Sequence, residues 1–365
     1  KMNDKNKIDS HKLTLHPNRV SKWLSANDNW SKIQKIYPIY VEIAPIGACN
    51  HRCTFCSVDY LGYETISQDK DLLILRLKEM AEKGVKSIMF AGEGEPALWK
   101  PLPEVMERAS KFGIDMAMTT NMVPFTSKNT EQFVANSSWI KVSINAGTEE
   151  GYADIHKTKS SDFNLVLKNI ERAVNIKKNK GYKCTLGAQM VLLPENKDQV
   201  VRLAKILKNI GIDYLVVKPY TQSLYGISKK YIDLKYDDMM HLENNLNKIK
   251  SSSFDIIFRG HTMQKLNEER QPYDKCNATP VFWSYIMADG SVYSCGAFLG
   301  NKDFLLGNIN KTSFSNIWEG KERKHNYLYV NNFLSIKNCR KNCRMDEVNR
   351  YLWELKNPSS HHNFI

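Results

Sequence analysis

Cysteines are the residues of this 365-residue sequence whose spacing points most clearly to chemistry. Three of the eight occur in the run Cys49-Asn50-His51-Arg52-Cys53-Thr54-Phe55-Cys56, four come late in the chain, and Cys184 stands alone. Clustered thiols in a chain of this length are more typical of metal binding than of disulfides. Four thiolates fill a tetrahedral zinc or a four-iron cluster, so three on a short loop leave one metal position open. An open metal position indicates chemistry.

The cysteine run follows an apolar strand pattern, Tyr40-Val41-Glu42-Ile43-Ala44, and an aromatic residue precedes its last thiol. In this spacing and context the run resembles the signature of the radical SAM superfamily. The resemblance implies a four-iron cluster on Cys49, Cys53 and Cys56, whose fourth iron binds S-adenosylmethionine. One electron from that cluster cleaves the cofactor to methionine and a 5′-deoxyadenosyl radical, which abstracts hydrogen from the substrate. A structural zinc would need His51 as fourth ligand, and a short loop has difficulty turning that side chain inward.

Alternating strand and helix patterns must position this loop. Strands are predicted near residues 39–45, 86–91, 114–120, 140–146, 183–192, 212–218 and 254–259, and helices near 69–83, 102–112, 127–136, 162–178, 196–209 and 236–250. This order predicts an α/β fold with a parallel sheet and helices outside it. By the resemblance, the fold is a partial six-unit (β/α) barrel with its chemistry at the carboxyl ends of the strands.

Several predicted strand ends resemble the family's S-adenosylmethionine contacts. Strand two ends in Gly92-Glu93-Gly94-Glu95-Pro96, strand three in Thr119-Thr120-Asn121, and strand four in Ser143-Ile144-Asn145, where the family often has aspartate at the last position. The resemblance places the adenine near the aromatic residue of the cysteine run. The candidate cofactor-binding residues are therefore Phe55, Gly92, Gly94, Glu95, Thr120, Asn121, Ser143, Asn145 and Gln189.

Basic residues follow the last strands and are candidates for substrate contact and catalysis. They are Lys218, Arg259 and His261, and for each a solvated surface position explains the sequence equally well. Cys184 begins the fifth predicted strand, at the end of the barrel away from the cofactor. We therefore interpret it as a buried structural thiol.

The four late cysteines, Cys276, Cys295, Cys339 and Cys343, are expected to form a separate compact region. An Asp-Gly turn at 289–290 predicts a hairpin that leads into Cys295. With the Gly-Asn-Ile segment and the tryptophan-bearing helix that follow, this region resembles the C-terminal SPASM or twitch extension of radical SAM enzymes. Full SPASM domains have seven cysteines, whereas four fill one auxiliary four-iron cluster; structural zinc is the alternative. The predicted units are 1–37 (N-terminal extension), 38–260 (barrel), 261–345 (auxiliary domain) and 346–365 (helix and tail).

The net charge of +13 suits an anionic partner, such as a phosphorylated substrate, nucleic acid or an acidic redox protein, but also a solvated lysine-rich surface. No apolar run is long enough to span a membrane and no secretory signal pattern is present, so we expect a cytoplasmic protein without membrane contact. Nucleic acid is disfavoured as a partner because no RNA-binding module occurs.

The sequence thus predicts a radical SAM enzyme of the oxidoreductase or epimerase type. Its expected cofactors are S-adenosylmethionine, one catalytic and one auxiliary 4Fe-4S cluster, and its expected electron donor is a flavodoxin or ferredoxin-type protein. A small polar substrate, anionic or neutral, such as a sugar, aminocyclitol or phosphorylated or nucleotide-linked sugar, is favoured, because the N-terminal segment is too short for a winged peptide-binding domain. Epimerisation is disfavoured because it needs a thiol as hydrogen donor, and the one unassigned cysteine, Cys184, is expected on the wrong side of the barrel. The alternatives are a peptide-modifying epimerase or crosslinking enzyme, an iron–sulfur electron-transfer protein and an RNA-binding protein.

Overall fold

The computed structural model describes residues 7–364, so residues 1–6 of the predicted N-terminal extension and Ile365 of the predicted tail lie outside it. The described residues form one ten-stranded sheet in the order β10-β9-β8-β1-β2-β3-β4-β5-β6-β7. The strands are β1 (Tyr40–Ile43), β2 (Ser87–Phe90), β3 (Asp115–Thr120), β4 (Trp139–Ser143), β5 (Thr185–Leu192), β6 (Tyr214–Pro219), β7 (Asp255–Phe258), β8 (Trp283–Ile286), β9 (Ser291–Tyr293) and β10 (Leu305–Asn308).

Strands β1 to β7 pair in parallel with their neighbours, and helices connect them along the chain. The predicted α/β partial barrel is therefore confirmed. The α-helices of the described residues are α1 (Pro17–Ala26), α2 (Trp30–Ile33), α3 (Lys70–Glu82), α4 (Leu102–Ser110), α5 (Ser127–Ala135), α6 (Glu149–His156), α7 (Ser161–Lys180), α8 (Val200–Ile210), α9 (Leu242–Asn247), α10 (Gly260–Gln264), α11 (Thr279–Phe282), α12 (Phe314–Trp318), α13 (Lys321–Asn332) and α14 (Asp346–Lys356).

The helical predictions differ from the structure in two respects. The sequence patterns did not predict α6, an eight-residue helix capped by the Thr148 side chain, nor helices α1, α2, α10, α11 and α13. The predicted helix over 236–250 is helical only in α9, preceded by a 3-10 turn at Asp237–Met239. Three of the six residues in α9 are asparagines, whose low helix propensity accounts for its short length.

Alternation along the strands separates the outer face of the barrel from its lumen. On β4, Ile140 and Val142 are fully buried in the main core beneath the helices. The intervening residues Trp139, Lys141 and Ser143 are only half-buried and point to the other face, because successive side chains of a strand alternate. The lumen therefore receives the polar residues of β4.

The hairpin of β8 and β9 joins the barrel instead of forming the separate compact region that we expected. β8 lies parallel to β1, with Tyr40 opposite Trp283 and Ile43 opposite Ile286. A second core beneath this part of the sheet combines apolar side chains of the N-terminal helices with those of the hairpin and of the late helices. The two parts of the chain consequently share both a sheet and a core.

Arg323 on α13 links the N-terminal helices to the late part of the chain from a fully buried position. Its Nε donates to the Pro280 carbonyl at 3.0 Å, its Nη1 to the Trp318 carbonyl at 2.8 Å and its Nη2 to the Ile36 carbonyl, which follows α2, at 3.4 Å. The guanidinium carbon lies 3.9 Å from the centre of the Trp318 ring, a cation–π geometry. Burial lowers the pKa of Arg323 to about 9.

None of the helices within residues 7–364 combines the length and the apolar composition needed to cross a membrane.

Replacing Arg323 with methionine should lower the free energy of unfolding by about 2–4 kcal/mol, because buried carbonyl groups lose their donors. Arg108→Met, at an exposed position of α4, is the matched control and should change the same quantity by less than about 0.5 kcal/mol. Urea denaturation followed by circular dichroism measures both variants. Equal loss in the two variants would contradict the linking role of Arg323.

Candidate functional site

The cysteine loop, residues 49–56, follows β1 and is held against the end of α6. The Arg52 amide donates to the His156 carbonyl at 3.0 Å, and the Thr54 amide to the Ile155 carbonyl at 2.9 Å. Burial raises the pKa of Cys49 to about 11 and also raises the pKa of Cys53. The charges of the neighbouring thiols raise both pKa values further. The three thiols of the loop therefore lie in one electrostatically coupled group.

The spacing of the thiols is wider than a single zinc ion requires. Four thiolates at about 2.3 Å from a tetrahedral zinc stand about 3.8 Å apart. Within residues 7–364, one group of three potential metal ligands has its ligand atoms within 4.8 Å of one another. It consists of His51, Cys53 and His156. Neither the cysteine loop nor the late cysteines form such a group of thiols.

The turn after β2 packs directly on the cysteine loop, and glycine makes that approach possible. A Cβ atom on Gly94 would lie 2.0 Å from the Ala48 carbonyl oxygen, and the Glu95 amide donates to the same oxygen at 2.9 Å. Gly92 has φ of +125°, and a Cβ atom there would lie 2.1 Å from the Tyr285 hydroxyl. Both glycines are required by close packing of backbone against loop and hairpin.

Glu95 connects this turn to the end of β3. Its carboxylate is buried and accepts from the Ala97 amide at 3.0 Å, the Asn121 amide at 2.7 Å and the Thr120 hydroxyl. The Asn121 side chain in turn donates to Asn50 of the cysteine loop at 2.8 Å. Burial raises the pKa of Glu95 to about 7. We therefore expect Glu95 and Thr120 to position the cysteine loop through hydrogen bonds within the protein.

A row of polar side chains crosses the lumen from β4 to β6. The Gln189 amide donates to the Ser143 hydroxyl at 2.8 Å, and Lys218 Nζ donates to the Gln189 oxygen at 3.1 Å. Burial and nearby cations lower the pKa of Lys218 to about 7. Ser143, Gln189 and Lys218, which the sequence predicts as site residues, are therefore in direct contact with one another along this row.

Other predicted site residues are placed differently. Asn145 is buried, its oxygen accepts from the Val191 amide at 2.7 Å, and its nitrogen lies 3.2 Å from His156. Arg259 pairs with Asp9 at 3.0 Å. The His261 side chain is 60% exposed, lies 3.6 Å from Glu347 and does not join the lumen. The structure thus brings Lys218 to the strand-end site but leaves His261 on the surface.

His156 is a site residue that the sequence analysis missed. Its Nε2 lies 3.3 Å from the backbone amide of Asn145, which can only donate, so the imidazole proton resides on Nδ1. Nδ1 lies 3.3 Å from the Cys53 sulfur. His156 therefore acts as a hydrogen-bond donor to this thiol and not as a metal ligand. Phe55 packs edge-on against the same imidazole, with ring centres 6.0 Å apart. The histidine lies at the end of α6, and its contact to Cys53 has no local sequence signal.

The late cysteines form a second coupled group of thiols surrounded by hydrogen-bond donors. The Asn349 side chain donates to the Cys276 sulfur at 3.3 Å, and the Ala297 amide to the Cys295 sulfur at 3.5 Å. Burial raises the pKa of Cys339 and of Cys343 to about 12, and charges of the other thiols add to this effect. Amide donors directed at sulfur fit thiolates bound to a metal cluster.

Two protein-family profiles match the two parts of the chain that carry the thiol groups. The profile of the Radical SAM superfamily matches residues 43–207, and that of the SPASM iron-sulfur cluster-binding domain matches residues 276–344. The chain therefore belongs to the radical SAM superfamily and carries a C-terminal SPASM-type domain. As a member of this class, the protein uses S-adenosylmethionine and iron–sulfur clusters.

Individual relatives differ in their chemistry. A tungsten-containing aldehyde ferredoxin oxidoreductase cofactor-modifying protein of Pyrococcus furiosus is 25% identical over 77% of this chain and 78% of its own length. A probable GTP 3′,8-cyclase of Metallosphaera sedula is 30% identical over 46% of this chain and 51% of its own. Streptococcus suis SuiB bound to S-adenosylmethionine has the same fold, with a TM-score of 0.65 and 17% identity over 92% of this chain and 79% of that chain.

Loss of the His156 donor should lower the reduction potential of a cluster bound through Cys53, because an N–H···S hydrogen bond stabilises the more negative reduced state. For His156→Phe we expect a decrease of about 20–60 mV, the one-electron equivalent of a hydrogen bond worth about 0.5–1.5 kcal/mol. A redox titration of the reconstituted protein, monitored by electron paramagnetic resonance, measures this shift. His156→Gln, which keeps an N–H donor, is the matched variant and should show a smaller decrease. An unchanged potential in His156→Phe would show that the histidine does not act on the cluster.

Proposed function

We propose that this protein generates a 5′-deoxyadenosyl radical at the cysteine loop and uses it to abstract hydrogen from a small polar metabolite in the barrel lumen. In this proposal Cys49, Cys53 and Cys56 hold the catalytic cluster. The late cysteines hold one auxiliary four-iron cluster. The observation that carries the proposal is the polar row Ser143, Gln189 and Lys218, which lies in the lumen at the strand ends that also carry the cysteine loop.

Two side chains support a site between the two thiol groups. The Tyr220 ring packs against Tyr231, whose hydroxyl lies 2.9 Å from the Thr54 hydroxyl of the cysteine loop. Arg340, in the late part of the chain, donates to the carbonyl of the residue that follows Tyr220, at 2.6 Å. Burial lowers the pKa of Arg340, and the charges of Cys343 and Cys295 act in the opposite direction. A substrate in the lumen would therefore lie within reach of both centres.

The bound groups would supply one-electron cleavage of S-adenosylmethionine at one centre and electron acceptance or substrate positioning at the other. The chain's own residues supply the rest. In this proposal the backbone of the Gly92–Gly94 turn binds the methionine part of the cofactor, and the Glu95 amide holds that turn against the carbonyl that precedes the cysteine loop. Ser143 and Gln189 offer polar groups to a ligand in the lumen. A flavodoxin or ferredoxin-type protein is the proposed electron donor.

The choice of a small metabolite rests on the relatives and on the lumen. The GTP 3′,8-cyclases are named for a small phosphorylated substrate, and one of them is 30% identical to part of this chain. SuiB has been crystallised with its precursor peptide, but at 18% identity this likeness concerns the fold. The charged and amide side chains in the lumen favour a polar substrate over an apolar peptide segment. Oxidation or rearrangement is the proposed outcome, with peptide modification as the alternative.

Deuterium transfer tests the substrate class. Reduced, reconstituted protein is incubated with S-adenosylmethionine and deuterated sugars, sugar phosphates, nucleotides or peptides, and 5′-deoxyadenosine is analysed by mass spectrometry. We expect deuterium in 5′-deoxyadenosine with a polar metabolite and none with peptides. The variant with alanine at all three cysteines of the loop is the control and should form no 5′-deoxyadenosine. Transfer from peptides alone would overturn the proposal.

Iron content tests the assignment of the late cysteines. The wild-type protein should bind about eight irons, and the variant with alanine at all four late cysteines about four, because each four-iron cluster is lost as a unit. That variant should still cleave S-adenosylmethionine but form little product. Cys184→Ala is the matched control because its buried thiol belongs to neither group, and it should keep about eight irons. Zinc in place of iron in anaerobically prepared protein would contradict the auxiliary cluster.

A further inference from the structure

Five basic side chains face or border the lumen. Two come from β4 and β6, one follows β7 and contacts Asp9, and two belong to the late cysteine loop, where they contact the carbonyl after β6 and the β1 residue Glu42. We call Lys141, Lys218, Arg259, Arg340 and Arg344 the cation cluster. Burial is the largest cause that lowers the pKa of Lys218, and the charges of the other four members lower it further. The pKa of Lys141 also falls, to about 8, through burial and through the charges of Arg344 and Arg259.

Only part of this positive charge is balanced by the protein. Arg344 pairs with Glu42 at 3.1 Å, and Arg259 pairs with Asp9 at 3.0 Å. Among residues 7–364, no carboxylate lies within 4.0 Å of the other three members. Lys218 instead donates to the neutral Gln189 amide, and Lys141 lies 5.0 Å from the centre of the Trp139 ring. Lys141 and Lys218 therefore remain without an anionic partner in the described part of the chain, whereas Arg340 lies near the thiols of Cys343 and Cys295.

Unpaired cations inside a protein are unfavourable because they lose hydration without gaining a counter-charge. Such an arrangement is typical of binding sites, where a ligand supplies the missing charge. Two further donors near the cluster also lack partners. Arg340 Nε is a buried donor without a hydrogen bond, although the same guanidinium donates to the Thr221 carbonyl at 2.6 Å. The Tyr285 hydroxyl is buried without a hydrogen bond, and its ring lies close enough to affect Arg344 electrostatically.

We propose that the cation cluster binds a phosphate or diphosphate group of the substrate, an inference that rests on the proposed function and names its substrate class. A single carboxylate is planar, carries one negative charge and is satisfied by one arginine fork. A phosphate carries up to two charges on oxygens that point in several directions. It therefore matches ammonium and guanidinium donors that come from β4, β6 and the loop of the late cysteines.

The position of the cluster orients the rest of such a substrate. Lys141 precedes Ser143 by two residues on β4, so it lies one lumen layer further from the strand ends. Lys218 is opposite Val191, one layer nearer the strand ends than Ser143 and Gln189, and its ammonium group reaches back to Gln189 at 3.1 Å. The phosphate group would lie between the two lysines, and the remainder of the substrate would extend toward the carboxyl ends of the strands, where the cysteine loop lies. The anchoring charge and the reacting carbon are thereby separated along the barrel axis.

Isothermal titration calorimetry of the reconstituted protein with S-adenosylmethionine tests this inference, with inorganic pyrophosphate as the probe and acetate as the carboxylate control. We expect the wild type to bind pyrophosphate at least tenfold more tightly than acetate. The double variant Lys141→Gln, Lys218→Gln should bind pyrophosphate at least tenfold more weakly than the wild type. The double variant Lys100→Gln, Lys128→Gln removes the same charge from exposed positions and should bind it as the wild type does.

The circular dichroism spectrum and the urea midpoint, measured in parallel, should be the same in all variants and verify that the lumen variant is folded. Equal pyrophosphate affinity in the two double variants would overturn the inference, as would equal affinity of the wild type for acetate and pyrophosphate. Neither result affects the proposed radical chemistry. Conversely, selective pyrophosphate binding that depends on Lys141 and Lys218 supports the inference even if deuterium transfer fails, so the two proposals fail separately.

Discussion

The contact between the turn after β2 and the cysteine loop is the constraint on which the rest of the site depends. Gly94 allows the Ala48 carbonyl to approach, and the Glu95 amide donates to that same oxygen. The buried Glu95 carboxylate extends this contact to the end of β3, and Asn121 returns to the loop through Asn50. Side chains larger than hydrogen at position 94 would push the loop away from the strand ends. The position of the three thiols therefore depends on this backbone packing as well as on the spacing of the cysteines in the sequence.

The pairing of β8 with β1 places the two thiol groups on one structure. Since β1 leads into the cysteine loop and the β8–β9 hairpin leads into Cys295, one stretch of sheet carries both. The buried Arg323 and the shared core connect the N-terminal helices to this region. The relative position of the two groups is thus determined by strand pairing and core packing, which resist change better than a flexible linker would.

Electrostatics divide the barrel interior into two parts. Near the strand ends, carboxylate and amide groups such as Glu95 and Asn145 are satisfied within the protein and support the backbone. Between β4, β6 and the loop of the late cysteines, lysine and arginine side chains exceed their carboxylate partners. The first arrangement stabilises a fixed geometry, whereas the second leaves charge that a ligand can neutralise. Support of the backbone and recognition of a ligand are therefore separated within one barrel.

Local patterns in the sequence alone determined the order of the barrel strands β1 to β7, the cysteine loop after β1, the glycine-rich turn after β2 and the Asp-Gly hairpin, because each depends on residues close together in the chain. The sequence also indicated that Ser143, Gln189 and Lys218 lie at strand ends. Only the tertiary structure decided that β8 pairs with β1, that His156 reaches Cys53 and that His261 remains outside the lumen. It also brought Arg340 and Arg344 to the lysines of β4 and β6. These contacts join residues about 100 or more positions apart, and they depend on strand order and sheet curvature, which no short sequence pattern encodes.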